Sequence, residues 1–182
     1  YWMDHKDPEF CIQIIEKTLC HQQGESLDGT PMRGKPFILQ PFHKFCIYNL
    51  VGFKLKDTQI VKYHEALIYI PRKNSKSTFA AALAWSLSLL YRKSGSKCYI
   101  ASASLMQSLE SFNFLNYNVN RMGENAKDGG AVKVIDNNNE HSMESTLEDG
   151  MFYIRALAAN PDAQDSLNCN IAITDRFCPV YW

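Results

Sequence analysis

The sequence predicts an α/β fold, a mostly parallel β-sheet flanked by helices, behind a helical N-terminal extension. Three observations carry this reading. Short apolar runs bounded by turn residues recur at EALIYI (65–70), KCYIAS (97–102) and NIAIT (170–174), as buried strands do. Longer stretches with helical spacing follow the first two runs. Strand and helix therefore alternate, which is the pattern of strands joined by helical crossovers.

The elements follow in order. Residues 9–22 place Phe10, Ile14, Ile15 and Leu19 near helical spacing and predict an amphipathic helix. GESLDGTPMRGKPF, rich in glycine and proline, predicts a loop, so residues 1–34 read as extension and linker and 35–182 as the main domain. After Pro41, Phe42, Phe45, Cys46, Asn49 and Leu50 recur at helical intervals, so a helix begins there. EALIYI is read as a buried strand ended by PRKN. A helix follows from Ser77, with Phe79, Leu83, Leu87 and Leu90 on one face and Gly95 near its end. KCYIAS is the next strand, and a second helix carries Leu105, Leu109, Phe112 and Leu115 on its apolar side. AVKVI and MFYIRALAA read as strands, EHSMESTLEDG as a solvated loop, Asn137–Asn139 as a loop, and NIAIT as the last strand.

Bulk composition narrows the function classes. The 182 residues are 46% hydrophobic and 21% charged, ordinary for a soluble globular domain. Nineteen basic and nineteen acidic residues balance, so overall charge argues neither for nor against a polyanionic partner. The six cysteines show no C-x-x-C and no metal rhythm with histidine, and read as reduced thiols of a cytosolic protein. No run is long and apolar enough to span a bilayer, and the N-terminal stretch lacks the order of a signal peptide.

One stretch carries chemistry. IYIPRKNSKSTFAAALAWSLSLL (68–90) runs from strand through a tight polar turn into a helix. The phosphate-loop pattern G-x-x-x-x-G-K-[ST] keeps Lys76 and Ser77 here, with Ile70 and Ser75 at its glycine positions. Such a loop turns backbone N–H groups at a helix start toward phosphates, with a lysine for the β/γ oxygens and a hydroxyl for Mg²⁺. The other reading is a surface turn capped by Ser75 or Ser77, with solvated Arg72, Lys73 and Lys76. Both readings stay open on the loop alone. Asp175, at the carboxyl end of the NIAIT strand, stands where a second acidic group would hold the metal.

Together these segments resemble the ATPase part of the large terminase subunits of tailed bacteriophages, over about residues 35–175. RKNSKS (72–77) resembles the family's R-K-N-G-K-S loop, and LQPFHKF (39–45) its L-x-P-W-Q-like adenine motif. ASASLMQS is similar to an A-[AST]-x-x-x-Q-[AS] segment, with Gln107 in register, and ANPDAQDSLNCNIAITD resembles the lead-in to its second nucleotide motif. The resemblance implies a P-loop NTPase-like fold that binds ATP and Mg²⁺. It places Pro71, Arg72, Lys73, Asn74, Ser75, Lys76, Ser77 and Thr78 around the phosphates, with Arg72 at the γ-phosphate. It also places Ser77 and Asp175 on the metal and Phe42 and His43 beside the adenine. The implied setting is the host bacterial cytosol, without a membrane. The implied partners are double-stranded DNA, a portal protein and a small terminase subunit, around a homo-oligomeric ring.

Two departures stand against the pattern. The family's D-E reads Asp175-Arg176 here, and an arginine cannot accept a proton from the attacking water. The chain also ends at Trp182, which reads as a truncation before the coupling strands and the nuclease domain. A helicase-like DNA translocase and a non-hydrolysing nucleotide-binding or assembly module are the alternatives.

Overall fold

The structure, a computed structural model, describes residues 1–26, 28–71, 74–158 and 168–175; for Asp175 it describes the backbone alone. The chain divides into two compact units, Tyr1–Asn74 and Ser75–Trp182.

In the first unit, strand β1 (Trp2–Met3) pairs antiparallel with β2 (Phe53–Lys54). Helix α1 (Lys6–Thr18) buries Pro8, Cys11, Ile12 and Ile15, an i, i+3, i+4, i+7 stripe. Phe10 and Ile14 flank that stripe half-exposed, so the expected apolar face is rotated. Proline opens α2 (Pro41–Ile47), as its fixed φ favours at a first helical position. The buried face is His43 and Ile47 rather than the expected Phe42 and Phe45, and Phe45 is 68% exposed. The ammonium of Lys54, 2% exposed, donates to Asp4 at 2.5 Å, Asp7 at 2.6 Å and Gln59 at 2.8 Å. An ammonium carries three donors, and each is matched.

Residues 65–70 correct an expectation. They form no strand, and Leu67 and Tyr69 are 91% and 93% exposed. A strand exists only where a neighbouring backbone completes its hydrogen bonds, and an apolar run cannot provide that neighbour itself.

The second unit is a five-stranded sheet in the order β4-β5-β6-β3-β7, built from β3 (Ser96–Ser102), β4 (Lys133–Asp136), β5 (His141–Leu147), β6 (Gly150–Ala158) and β7 (Ile171–Asp175). β3 runs parallel to both β6 and β7, while β4–β5 and β5–β6 are antiparallel. The sheet is therefore mixed rather than mostly parallel. The cause is β5, which occupies EHSMESTLEDG, expected as a loop. Along it Met143 and Ser145 are buried on one face and Ser142 on the other, so the buried positions carry no apolar alternation. Glu148-Asp149 turns the chain into β6. Gly150 is required at that corner: its φ is +152°, and a Cβ there would meet the Arg92 carbonyl oxygen at 2.2 Å.

Helices α3 (Lys76–Leu90) and α4 (Leu105–Met122) cover one face of this sheet. α3 was expected to bury one stripe, but it buries residues all round, including Phe79, Ala81, Leu83, Trp85 and Leu87. Such a helix belongs to the core, not to a half-wet surface. Trp85 meets Phe152 of β6 edge to face at 5.6 Å. α4 buries Phe112, Leu115 and Val119, with Leu105 and Leu109 half-exposed, and ends at Gly123 with φ +73°. Arg92 clamps Asp149 with two hydrogen bonds, at 2.8 and 2.6 Å, tying the turn after α3 to the β5–β6 corner.

Candidate functional site

The start of α3 is the first component. Ser75 precedes the helix with φ +53° and ψ +30°, a left-handed conformation that only one other described non-glycine residue, Asp57, approaches with its positive φ. This is the glycine position of the phosphate-loop pattern. The serine keeps the glycine backbone at a cost of about 1–2 kcal/mol, and strain of this kind concentrates at functional sites. No side chain caps α3, although the carbonyl of Ser75 accepts from the Phe79 N–H at 2.8 Å. The first-turn N–H groups thus lack the usual side-chain oxygen. Lys76, Ser77 and Thr78 are all half-exposed at this opening.

The second component is the carboxyl end of the sheet. α3 leads through a short turn into the amino end of β3, so its own start lies toward the carboxyl end. α4 begins there directly after β3, and Ser111 Oγ donates to the Ser77 carbonyl at 3.2 Å, joining the two helix starts. The last residue of β3, Ser102, stands in register with Asp175 of β7. The strand therefore brings Asp175 to the end where α3 and α4 begin, which is where ligands gather in sheets of parallel strands.

Phe42 and His43 lie in the first unit. Phe42 is 37% exposed, its ring 3.9 Å from that of His43. His43 is 3% exposed, and its Nδ1 accepts from the Gln40 N–H at 3.1 Å, closing a capping box at the start of α2. Burial pushes the imidazole down to about 4. Pro71 accepts from Asn74 Nδ2 at 3.3 Å. Arg72, Lys73 and Arg176 lie outside the described residues.

Fit to a metal-bound nucleotide can be tested on orphaned atoms. Ser102 Oγ and Gln107 Oε1 are buried without a hydrogen-bond partner among the described residues, both at the end where α3 and α4 start. Among the described residues no group of three or more His, Cys, Asp or Glu is arranged to hold a metal. The described donors are hydroxyls and an amide, with the Asp175 backbone in register beside Ser102, which suits Mg²⁺, a cation that keeps several waters and binds through one or two carboxylates plus phosphates. The residues present fit the group. Sequence reading singled out Gln107 but missed Ser102 and Ser111. The available signal was the i, i+4 spacing of Gln107 and Ser111, which puts both on one face of α4.

Fold and site together define an α/β protein whose polar, uncapped helix starts converge at the carboxyl ends of parallel strands. The family profile described as "Terminase large subunit, ATPase domain" matches residues 41–180. The solved structure of the HK97 bacteriophage large terminase is similar in fold, with a TM-score of 0.56 at 23% identity over 92% of this chain. The chain spans 30% of the length of that protein. No curated protein sequence matches. The chain belongs to the family of terminase large subunit ATPase domains. No helix among the described residues is long and apolar enough to cross a membrane.

Proposed function

We propose that this chain is the ATP-binding part of a phage DNA-packaging motor, binding ATP with Mg²⁺ at residues 71–78. In the whole protein, hydrolysis drives double-stranded DNA through a portal, with a small terminase subunit as partner and a ring of like subunits, in the host cytosol. The observation that carries the reading is the left-handed Ser75, which holds a strained glycine geometry at an uncapped helix start. In this reading the backbone of Lys73–Ser77 receives the phosphates and Lys76 reaches the β/γ oxygens. Pro71, Asn74 and Thr78 frame the loop, and Arg72 meets the charge developing on the γ-phosphate. Ser77 and Asp175 hold the cation, which would offset charge on the β- and γ-oxygens. The adenine side of this reading rests on the LQPFHKF resemblance, which assigns Phe42 and His43 to the base.

Binding and hydrolysis separate at Arg176. Turnover needs a group that accepts a hydrogen bond from the attacking water, a role worth about 10²–10⁴-fold. A guanidinium has no acceptor. Arg176 thus favours a second reading of this chain, a nucleotide-binding module that hydrolyses negligibly. The experiment is an ATP titration beside a turnover assay. The parent binds ATP with negligible turnover, and Lys76→Ala loses binding by more than about 30-fold, the scale of a charge-assisted contact. Equal affinity in Lys76→Ala contradicts the loop assignment. Ready turnover lost in Lys76→Ala contradicts the Arg176 argument alone.

A further inference from the structure

We infer that Ser102 and Gln107 form a water-binding pocket that holds the hydration shell of the nucleotide-bound cation beside Asp175. This rests on the nucleotide reading of the α3 loop and goes beyond it, since neither residue belongs to the loop or to the acidic strand end.

Ser102 closes β3 at 3% exposure, and its Oγ finds no partner among the described residues. It alternates in phase with Cys98 and Ile100, both fully buried, and so lies on the face covered by α3 and α4. Its registered neighbours are Ala158 of β6 and Asp175 of β7. Gln107 stands in the first turn of α4, and its buried Oε1 is also unpartnered. One helical turn further on, Ser111 reaches the Ser77 carbonyl. Residues four apart share a helix face, so Gln107 lies on the face turned toward the start of α3, one turn nearer the end of the sheet.

A buried unpartnered serine is not itself a site. Ser96, at the amino end of the same strand, is 1% exposed with an unpartnered Oγ as well. Ser102 differs in its company: a second orphaned oxygen, a registered aspartate and two uncapped helix starts. The chemistry of that set selects its ligand. The Gln107 amide oxygen accepts hydrogen bonds and would repel a bare phosphate oxygen. Water ordered by a divalent cation donates, and it satisfies both the amide oxygen and the hydroxyl. Mg²⁺ releases its waters reluctantly, so second-sphere acceptors of this kind are where a protein can grip it.

The test measures ATP affinity by calorimetry in Mg²⁺ and in EDTA, for the parent chain, Ser102→Ala, Gln107→Leu, Gln107→Glu and Lys76→Ala. Ser102→Ala and Gln107→Leu weaken binding about 10-fold in Mg²⁺ and leave binding in EDTA unchanged. Gln107→Glu, which keeps an acceptor, retains the Mg²⁺ dependence. Without ligand, Ser102→Ala raises Tm by about 2–4 °C, because it removes an unsatisfied buried hydroxyl; a merely structural hydroxyl would lower it. If Ser102→Ala and Gln107→Leu match the parent in Mg²⁺ while Lys76→Ala fails to bind, this inference falls and the loop reading stands. If the parent binds no ATP, both fall.

Discussion

Two regions of the molecule handle buried polar groups in opposite ways. Around Lys54 in the N-terminal unit they answer one another: the ammonium has a partner for each of its three donors, and at the start of α2 the His43 Nδ1 accepts from the Gln40 N–H. At the carboxyl end of the sheet in the C-terminal unit they do not. There α3 and α4 begin without side-chain caps, Ser75 is held left-handed, and Ser102 and Gln107 carry unpartnered oxygens. A satisfied network holds a fold together; an unsatisfied one costs stability and persists where a ligand completes it.

Breaking the satisfied side has the largest expected effect. Lys54→Met leaves Asp4 and Asp7 facing each other without a cation, Asp4 buried, and destabilises by about 3–5 kcal/mol. Urea unfolding measures it, and a loss below about 1 kcal/mol would mean that the trio is solvated in practice.

His43 gives the next effect, through pH. Its folded value of about 4 lies below the ordinary 6.5, so between the two the unfolded chain binds a proton that the folded chain refuses. The stability from the neutral ring is fully present above about pH 6.5 and is lost as pH falls toward 4. The loss is on the order of 3 kcal/mol at 1.36 kcal/mol per pH unit. Protonation would also remove the acceptor that Gln40 uses. Urea midpoints from pH 7 to 4 follow the loss, and His43→Gln flattens the profile. An unchanged slope in that variant would remove His43 as the cause.

Smaller effects sharpen the open side. Phe42→Ala weakens ATP about 5–20-fold and leaves inorganic triphosphate unchanged, within the range of a base–aromatic stack. Parallel losses for the two ligands would make Phe42 structural. Ser75→Gly relieves the left-handed strain and stabilises by about 1 kcal/mol with no loss of nucleotide affinity. Destabilisation there would show that the serine side chain holds the turn.

The sequence made some of this legible and hid the rest for physical reasons. The α3 and α4 segments, β3, β6 and β7 announce themselves by apolar periodicity, and Gly123 marks the end of α4 where a left-handed cap is needed. β5 was hidden because serines take two of its buried positions, Ser142 on one face and Ser145 on the other, so no apolar alternation marks it. Residues 65–70 misled in the other direction: the run is apolar enough for a strand, but strand formation depends on a neighbour elsewhere in the chain. Lys76, Ser77 and Asp175 were legible as a spaced pattern. Ser102 was not, because a serine ending a strand becomes notable only when its burial and lack of a partner are seen.

The central claim is that the open helix start of α3 takes phosphate and the capped start of α2 does not. Amide chemical shifts of the chain during titration with inorganic triphosphate test this most directly. The account predicts that the largest changes fall at Lys76, Ser77 and Thr78, with Phe42, His43 and Lys44 unmoved. Changes confined to the start of α2, or none at α3 at saturating triphosphate, would contradict it.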